Sequence, residues 1–147
     1  MMQPFQSSSR IESPGVTVME QRSISLPLKK IRLELARDHD FPDGNRARGY
    51  EFKAPLDSSG HIVVARWRTE RASCSVVRFW DGDLEHGHLI RKPGGSWAFH
   101  YDVLGDEDDD ETGYRFGDHA FRIGDYVSIK EHDEVMRTFR VVSVTDA

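Results

Sequence analysis

The strongest constraint in this 147-residue chain is a pair of glycines set between two β-prone runs. His86–Lys92 and Ser96–Val103 flank Pro93-Gly94-Gly95. A two-residue loop at Gly94-Gly95 suits a tight antiparallel hairpin, because both residues tolerate positive φ. That turn sets a register: Lys92 faces Trp97, Ile90 faces Phe99, and His88 faces Tyr101. Cross-strand partners point to the same side of a sheet. One face is then expected to carry Ile90, Trp97, Phe99, Tyr101 and His88, and the other Leu89, Arg91, Ala98, His100 and Asp102.

Further period-two runs surround this hairpin. In Leu28–Arg37, Ile31, Leu33 and Leu35 alternate with Arg32, Glu34 and Ala36, the pattern of a half-buried strand. A loop around Pro42-Asp43-Gly44-Asn45 leads to Gly49–Ala54, where Tyr50 and Phe52 share one side. Ser75–Trp80 is a short strand. Tyr126–Glu131 and Val135–Val144 form a second hairpin through His132-Asp133-Glu134. Residues 57–74 fit two patterns. A strand over His61–Thr69 would put Val63, Ala65 and Trp67 on one face. A helix would be capped by Ser58 or Ser59 and would pair Arg66 with Glu70. We take the helix, near 59–73. The fold expected is mainly β (α+β): about seven antiparallel strands in a twisted sheet or small open barrel, with one helix.

Apolar residues are 37% of the chain, below a usual roughly 45–50% that also counts Gly, which fits an ordered part diluted by polar segments. Residues 1–27 supply one. Gln, Ser, Pro and Gly dominate there, and such a segment buries too little to offset its ordering entropy. Residues 1–27 are therefore expected to be a flexible arm and 28–147 a single domain. A start at Met19 would remove only arm, so the first 18 residues are expected to be dispensable or to reflect an upstream start codon. The one cysteine, Cys74, allows no internal disulfide. No apolar run approaches the ~20 residues of a membrane span, and no secretory signal is visible. A cytoplasmic location without membrane contact is expected. The first half of the chain is basic and the second acidic, for a net charge of −5. That balance disfavours nucleic acid as a partner.

Four constellations could carry chemistry. Trp97, Phe99 and Tyr101 form either core or a stacking platform for a ligand. His100 and Asp102 share a face, and a carboxylate two residues along a strand can orient an imidazole. His86, His88 and His119, with Asp108 and Asp110, are the residue types of a metal site, but the expected register sends His88 and His100 to opposite faces. In the acidic loop Gly105–Gly117, Asp108, Asp110 and Thr112 alternate ahead of Gly113, like the first half of a calcium loop. His119 stands where that loop needs its bidentate Glu. No cofactor is expected beyond weak divalent-cation binding by the carboxylates from Asp106 to Glu111.

Leu28–Val144 resembles a family of short hypothetical proteins from alphaproteobacteria. The resemblance lies in Ile31–Arg37, Gly49-Tyr50-Glu51-Phe52, Lys92–Asp102 and Gly113–His119. It implies a bacterial, cytoplasmic, self-contained domain and carries over no functional residues.

No nucleophile–base pair, phosphate loop or closed metal motif is present in the sequence, so catalysis is not expected. The function expected is a non-catalytic binding module for a protein partner or small ligand. A metal-binding protein or enzyme using His88, His100 or His119 is the alternative, and a small structural subunit of a larger assembly is a third.

Overall fold

The computed structural model describes residues 26–102, 111–114, 116–117, 119–131 and 133–147. The arm expected over 1–27, apart from Leu26 and Pro27, lies outside them, as do Asp108 and Asp110.

Eight strands, all antiparallel, close into a barrel in chain order. They are β1 (Lys29–Leu35), β2 (Asn45–Ala54), β3 (Ser75–Trp80), β4 (Asp83–Arg91), β5 (Trp97–Tyr101), β6 (Glu111–Tyr114), β7 (Tyr126–Lys130) and β8 (Met136–Asp146). The small mainly-β barrel expected from the sequence is therefore present, and it is closed: β8 pairs with β1, so neither is left as an edge. The additional strand is β6, at the end of what reads in sequence as an acidic loop. Its inward residues are Glu111 and Gly113, a pair that no hydrophobic pattern reveals.

A helix, α1 (Val64–Glu70), and a 3-10 turn (Arg71–Ser73) sit between β2 and β3. Arg66 bonds Glu70 at 2.8 Å, the i,i+4 pair that the spacing predicts. Neither Ser58 nor Ser59 caps the helix. The N-cap is Val63, with no side-chain bond. The serines belong instead to a turn in which Asp57 accepts the backbone N–H groups of Ser59 and His61, at 2.9 and 3.0 Å. No helix among the described residues is long and apolar enough to cross a membrane.

The register of the β4–β5 hairpin differs by one residue from the sequence expectation. The loop has three residues, not two. Lys92 N–H bonds Ser96 O, and Gly95 N–H bonds Lys92 O. Pro93 takes the second position of the turn and Gly94, at φ 94°, the third, which is the chemistry of a type II turn. Arg91 therefore pairs with Trp97, Leu89 with Phe99, His88 with His100, and Gly87 with Tyr101. Arg91 and Leu89 join the aromatic face, while Ile90 and His88 leave it. His88 and His100 meet on the outer wall instead of lying on opposite faces.

An eight-stranded barrel is just wide enough for side chains to fill it. Here they do. Tyr50, Phe52, Phe99, Phe116, Phe121 and Phe139 are all at most 2% exposed. Tyr50 lies 5.1 Å from Phe99 and 5.0 Å from Phe139, centroid to centroid. Trp67 of α1 meets Trp97 edge-on at 5.2 Å, and its indole N–H bonds Leu89 O at 2.9 Å. The helix is thereby fastened to the end of the barrel where β1 begins and β8 finishes. The opposite end gathers the last residues of β1, β3, β5 and β7.

At Gly87 the backbones of β4 and β5 come close: an added Cβ would stand 2.1 Å from His100 O. Gly87→Ala is expected to lower the urea midpoint by the equivalent of about 2–3 kcal/mol with an unchanged slope. Gly94→Ala has positive φ but open space around it, and is expected to cost about 1–2 kcal/mol. Equal losses in the two variants would show that the close approach at Gly87 does not limit the fold.

Candidate functional site

Trp97, Phe99 and Tyr101 point into the barrel and are at most 6% exposed. Their rings are core, not an open platform. His100 and Asp102 are on the outer wall with His88, whose Nδ1 lies 3.0 Å from Asp102 Oδ1. The carboxylate thus orients an imidazole, though that of His88. His86 is exposed on the same strand and His119 is half-buried in a separate loop. Among the described residues no three His, Cys, Asp or Glu side chains come together as metal ligands. Cys74 is buried, and burial pushes its thiol up to about 11, which removes it as a nucleophile near neutral pH.

Sequence reasoning missed a buried charge network at the end of the barrel away from α1. Tyr50 of β2 and Arg78 of β3 are direct cross-strand partners. Glu111 opens β6, and Glu131 follows β7 on the adjacent strand. Glu111 is 0% and Glu131 2% exposed. The Tyr50 hydroxyl oxygen lies 2.6 Å from Glu131 Oε2 and 2.9 Å from Glu111 Oε1. The Tyr101 hydroxyl also donates to Glu111 Oε1. Arg78 sits between the carboxylates, 3.4 Å from Glu131 Oε2 and 3.5 Å from Glu111 Oε2. Arg137 of β8 reaches Glu131 Oε1 at 3.1 Å and extends to Asp38 and Asp40, at 3.4 Å each. Arg78 Nε and Arg137 Nε are close to these carboxylates at angles that miss a hydrogen bond, so ion pairing holds them.

The one signal for this network was Arg78, in the middle of the apolar run Ser75–Trp80. A guanidinium facing inward from a buried strand requires counter-charges.

A hydroxyl has one proton, yet Tyr50 has a carboxylate on each side. It can donate to only one of Glu111 and Glu131 at a time, and both lie within hydrogen-bond distance. Burial raises the Glu111 carboxyl above its ordinary value. The Tyr101 hydrogen bond, Arg78 and the Tyr50 hydrogen bond pull it down, and Glu131 adds to the rise. Both phenols are likewise pushed well above their usual range by burial. The network's carboxylates Glu111 and Glu131 are buried, and it reaches the surface through Arg78, which also pairs with Glu85 at 3.4 Å, and through Arg137, so it braces the barrel.

The end carrying α1 is different. Arg68 lies in α1, Arg71 in the 3-10 turn and Arg91 at the end of β4. Together with Trp67, Lys92, Pro93, Gly94 and Gly95 they line a hollow of about 590 Å³. The Arg91 guanidinium sits 5.0 Å from the Trp97 ring centre, and that of Arg71 5.9 Å from Trp67. None of the three guanidiniums has a carboxylate partner among the described residues, whereas Arg66 beside them is paired with Glu70. Gly95, at φ 93°, leaves room for Arg91: a Cβ there would stand 3.1 Å from its Nη2. An adjoining groove of about 380 Å³ runs from Arg71 and Arg91 over Ala72 and Ile90 to His88. Another hollow, of about 750 Å³ on the outer wall, carries Arg37, Arg46 and Arg140 together with Glu34 and Asp43. Compared with known protein families, curated proteins and solved structures, the chain matches none.

The Glu111 carboxyl, raised in the fold, makes stability fall with pH. Below the unfolded value of about 4.3 its contribution is fully present, and it is lost as pH rises through the higher folded value. Glu111→Gln keeps a hydrogen-bonding amide that cannot ionise. Urea unfolding from pH 4 to 8 should show the parent losing stability relative to this variant as pH rises. A difference between the two that is constant across the range would contradict a raised Glu111.

Proposed function

We propose that this protein is a non-catalytic binding module and that its recognition face is the end of the barrel carrying α1, where it takes an anionic group. One observation carries this: three guanidiniums without carboxylate partners among the described residues converge on one hollow, in a chain of net charge −5. Like charges brought together repel unless something offsets them. Cation–π contact with Trp67 and Trp97 holds two of them without neutralising their charge. A guanidinium fixed in this way loses little freedom when it meets a carboxylate or phosphate, and less lost freedom means tighter binding.

The remaining features support binding over chemistry. The barrel interior is filled, the carboxylates Glu111 and Glu131 are buried against arginines, and the Cys74 thiol is raised. A bacterial cytoplasmic setting, expected from the sequence, belongs to the same proposal.

The test is a ¹H–¹⁵N NMR titration of the full chain with sulfate, citrate and a short Glu-rich peptide. Saturating shifts confined to residues 67–72 and 91–97 are expected. They should weaken at least tenfold in the Arg68→Gln/Arg71→Gln/Arg91→Gln variant at an unchanged melting temperature. Shifts spread evenly over the surface, or shifts that the triple variant retains, would sink the proposal.

A further inference from the structure

We infer that the anion is a small diphosphate ester, with its two phosphates among Arg68, Arg71 and Arg91 and its less polar body in the adjoining groove, reaching His88. This rests on the anion-binding proposal above and gives the ligand its chemical class.

Charge sets the head group. A phosphate monoester carries at most about −2 near neutral pH, well short of the three guanidiniums and Lys92 that line the hollow. A diphosphate ester carries about −3 and comes closer to them. Arg68 and Arg71 are three residues apart and so are neighbours on one side of the helical segment. Arg91 comes from a different strand, across the hollow. Each guanidinium presents a planar fork that suits two phosphate oxygens. The hollow, about 590 Å³, is larger than one phosphate needs and within the range of small-molecule sites.

The adjoining groove sets the body. It shares Trp67, Arg71 and Arg91 with the hollow, so the two are continuous. Beyond the arginines its lining turns apolar, through Ala72 and Ile90, and ends at His88. Asp102 accepts from Nδ1 of His88 at 3.0 Å, which fixes the ring and leaves Nε2 as the polar group at that end. Ile90 is present because the three-residue turn sends it to the outer wall. A ligand with charge at one end and a largely apolar body complements this sequence of surfaces. Isoprenoid diphosphates have that form, and nucleoside diphosphates carry the same head group on a more polar body.

Isothermal titration calorimetry on the full chain with inorganic pyrophosphate, adenosine 5′-diphosphate and geranyl diphosphate separates the sources. At least one ester should bind tenfold or more tightly than pyrophosphate, and the tighter ester identifies the body. Arg71→Gln and Arg91→Gln should each weaken every probe at least tenfold. Ile90→Ser and His88→Ala should abolish the preference for the ester while leaving pyrophosphate affinity within twofold. Equal affinity for all three probes, or a preference that survives both groove variants, overturns the diphosphate ester and leaves the anion-binding proposal intact. Absence of saturable binding by any of the three also overturns it. In that case the sulfate, citrate and peptide titration decides independently whether the face binds anions at all.

Discussion

Arg78 enters the barrel from β3 and finds Glu111 and Glu131 on two other strands. That ion-pair group, completed by Tyr50, Tyr101 and Arg137, ties β2, β3, β5, β6, β7 and β8 together at one end. Removing a single partner from such a group strands a charge in a medium that cannot solvate it, at a cost of about 3–5 kcal/mol. Six strands are thus held to one arrangement by groups that tolerate no substitute geometry. Aromatic packing fills the remaining length, and α1 closes the other end through Trp67.

The two ends of the barrel treat arginine in opposite ways. At one end guanidiniums are largely buried and matched by carboxylates. At the other they are held by indole rings, which position a cation but do not neutralise it. The same residue type is a brace in one place and a surface for recognition in the other, and the partner beside it makes the difference.

Much of the fold was legible because alternation is a local property. Ile31, Leu33 and Leu35 announce β1, and Tyr50 and Phe52 announce β2, without reference to any partner. Arg66 and Glu70 did the same for α1. What failed was non-local or depended on one turn. Pro93 converts a two-residue turn into a three-residue one, and that single residue moved Ile90 and His88 across the sheet and brought His88 opposite His100. Glu111 looked like the last member of an acidic run, since nothing nearby in sequence shows that Arg78 lies across the barrel from it. The basic hollow was illegible for the same reason: Arg91 joins Arg68 and Arg71 only when α1 folds over the β4–β5 turn.

The pairing of β1 with β8 has one more consequence. Lys29 stands opposite Asp146, and Ala147 N–H bonds Leu28 O. Seen as a hydrogen-bonded object, the barrel is a ring of strands with no first member; only the covalent chain says where to begin counting. A short linker could join residues 28 and 147, and the chain could be reopened at the Asp81-Gly82 turn between β3 and β4. The eight pairings would be unchanged, and the new ends would emerge at the opposite pole from the hollow.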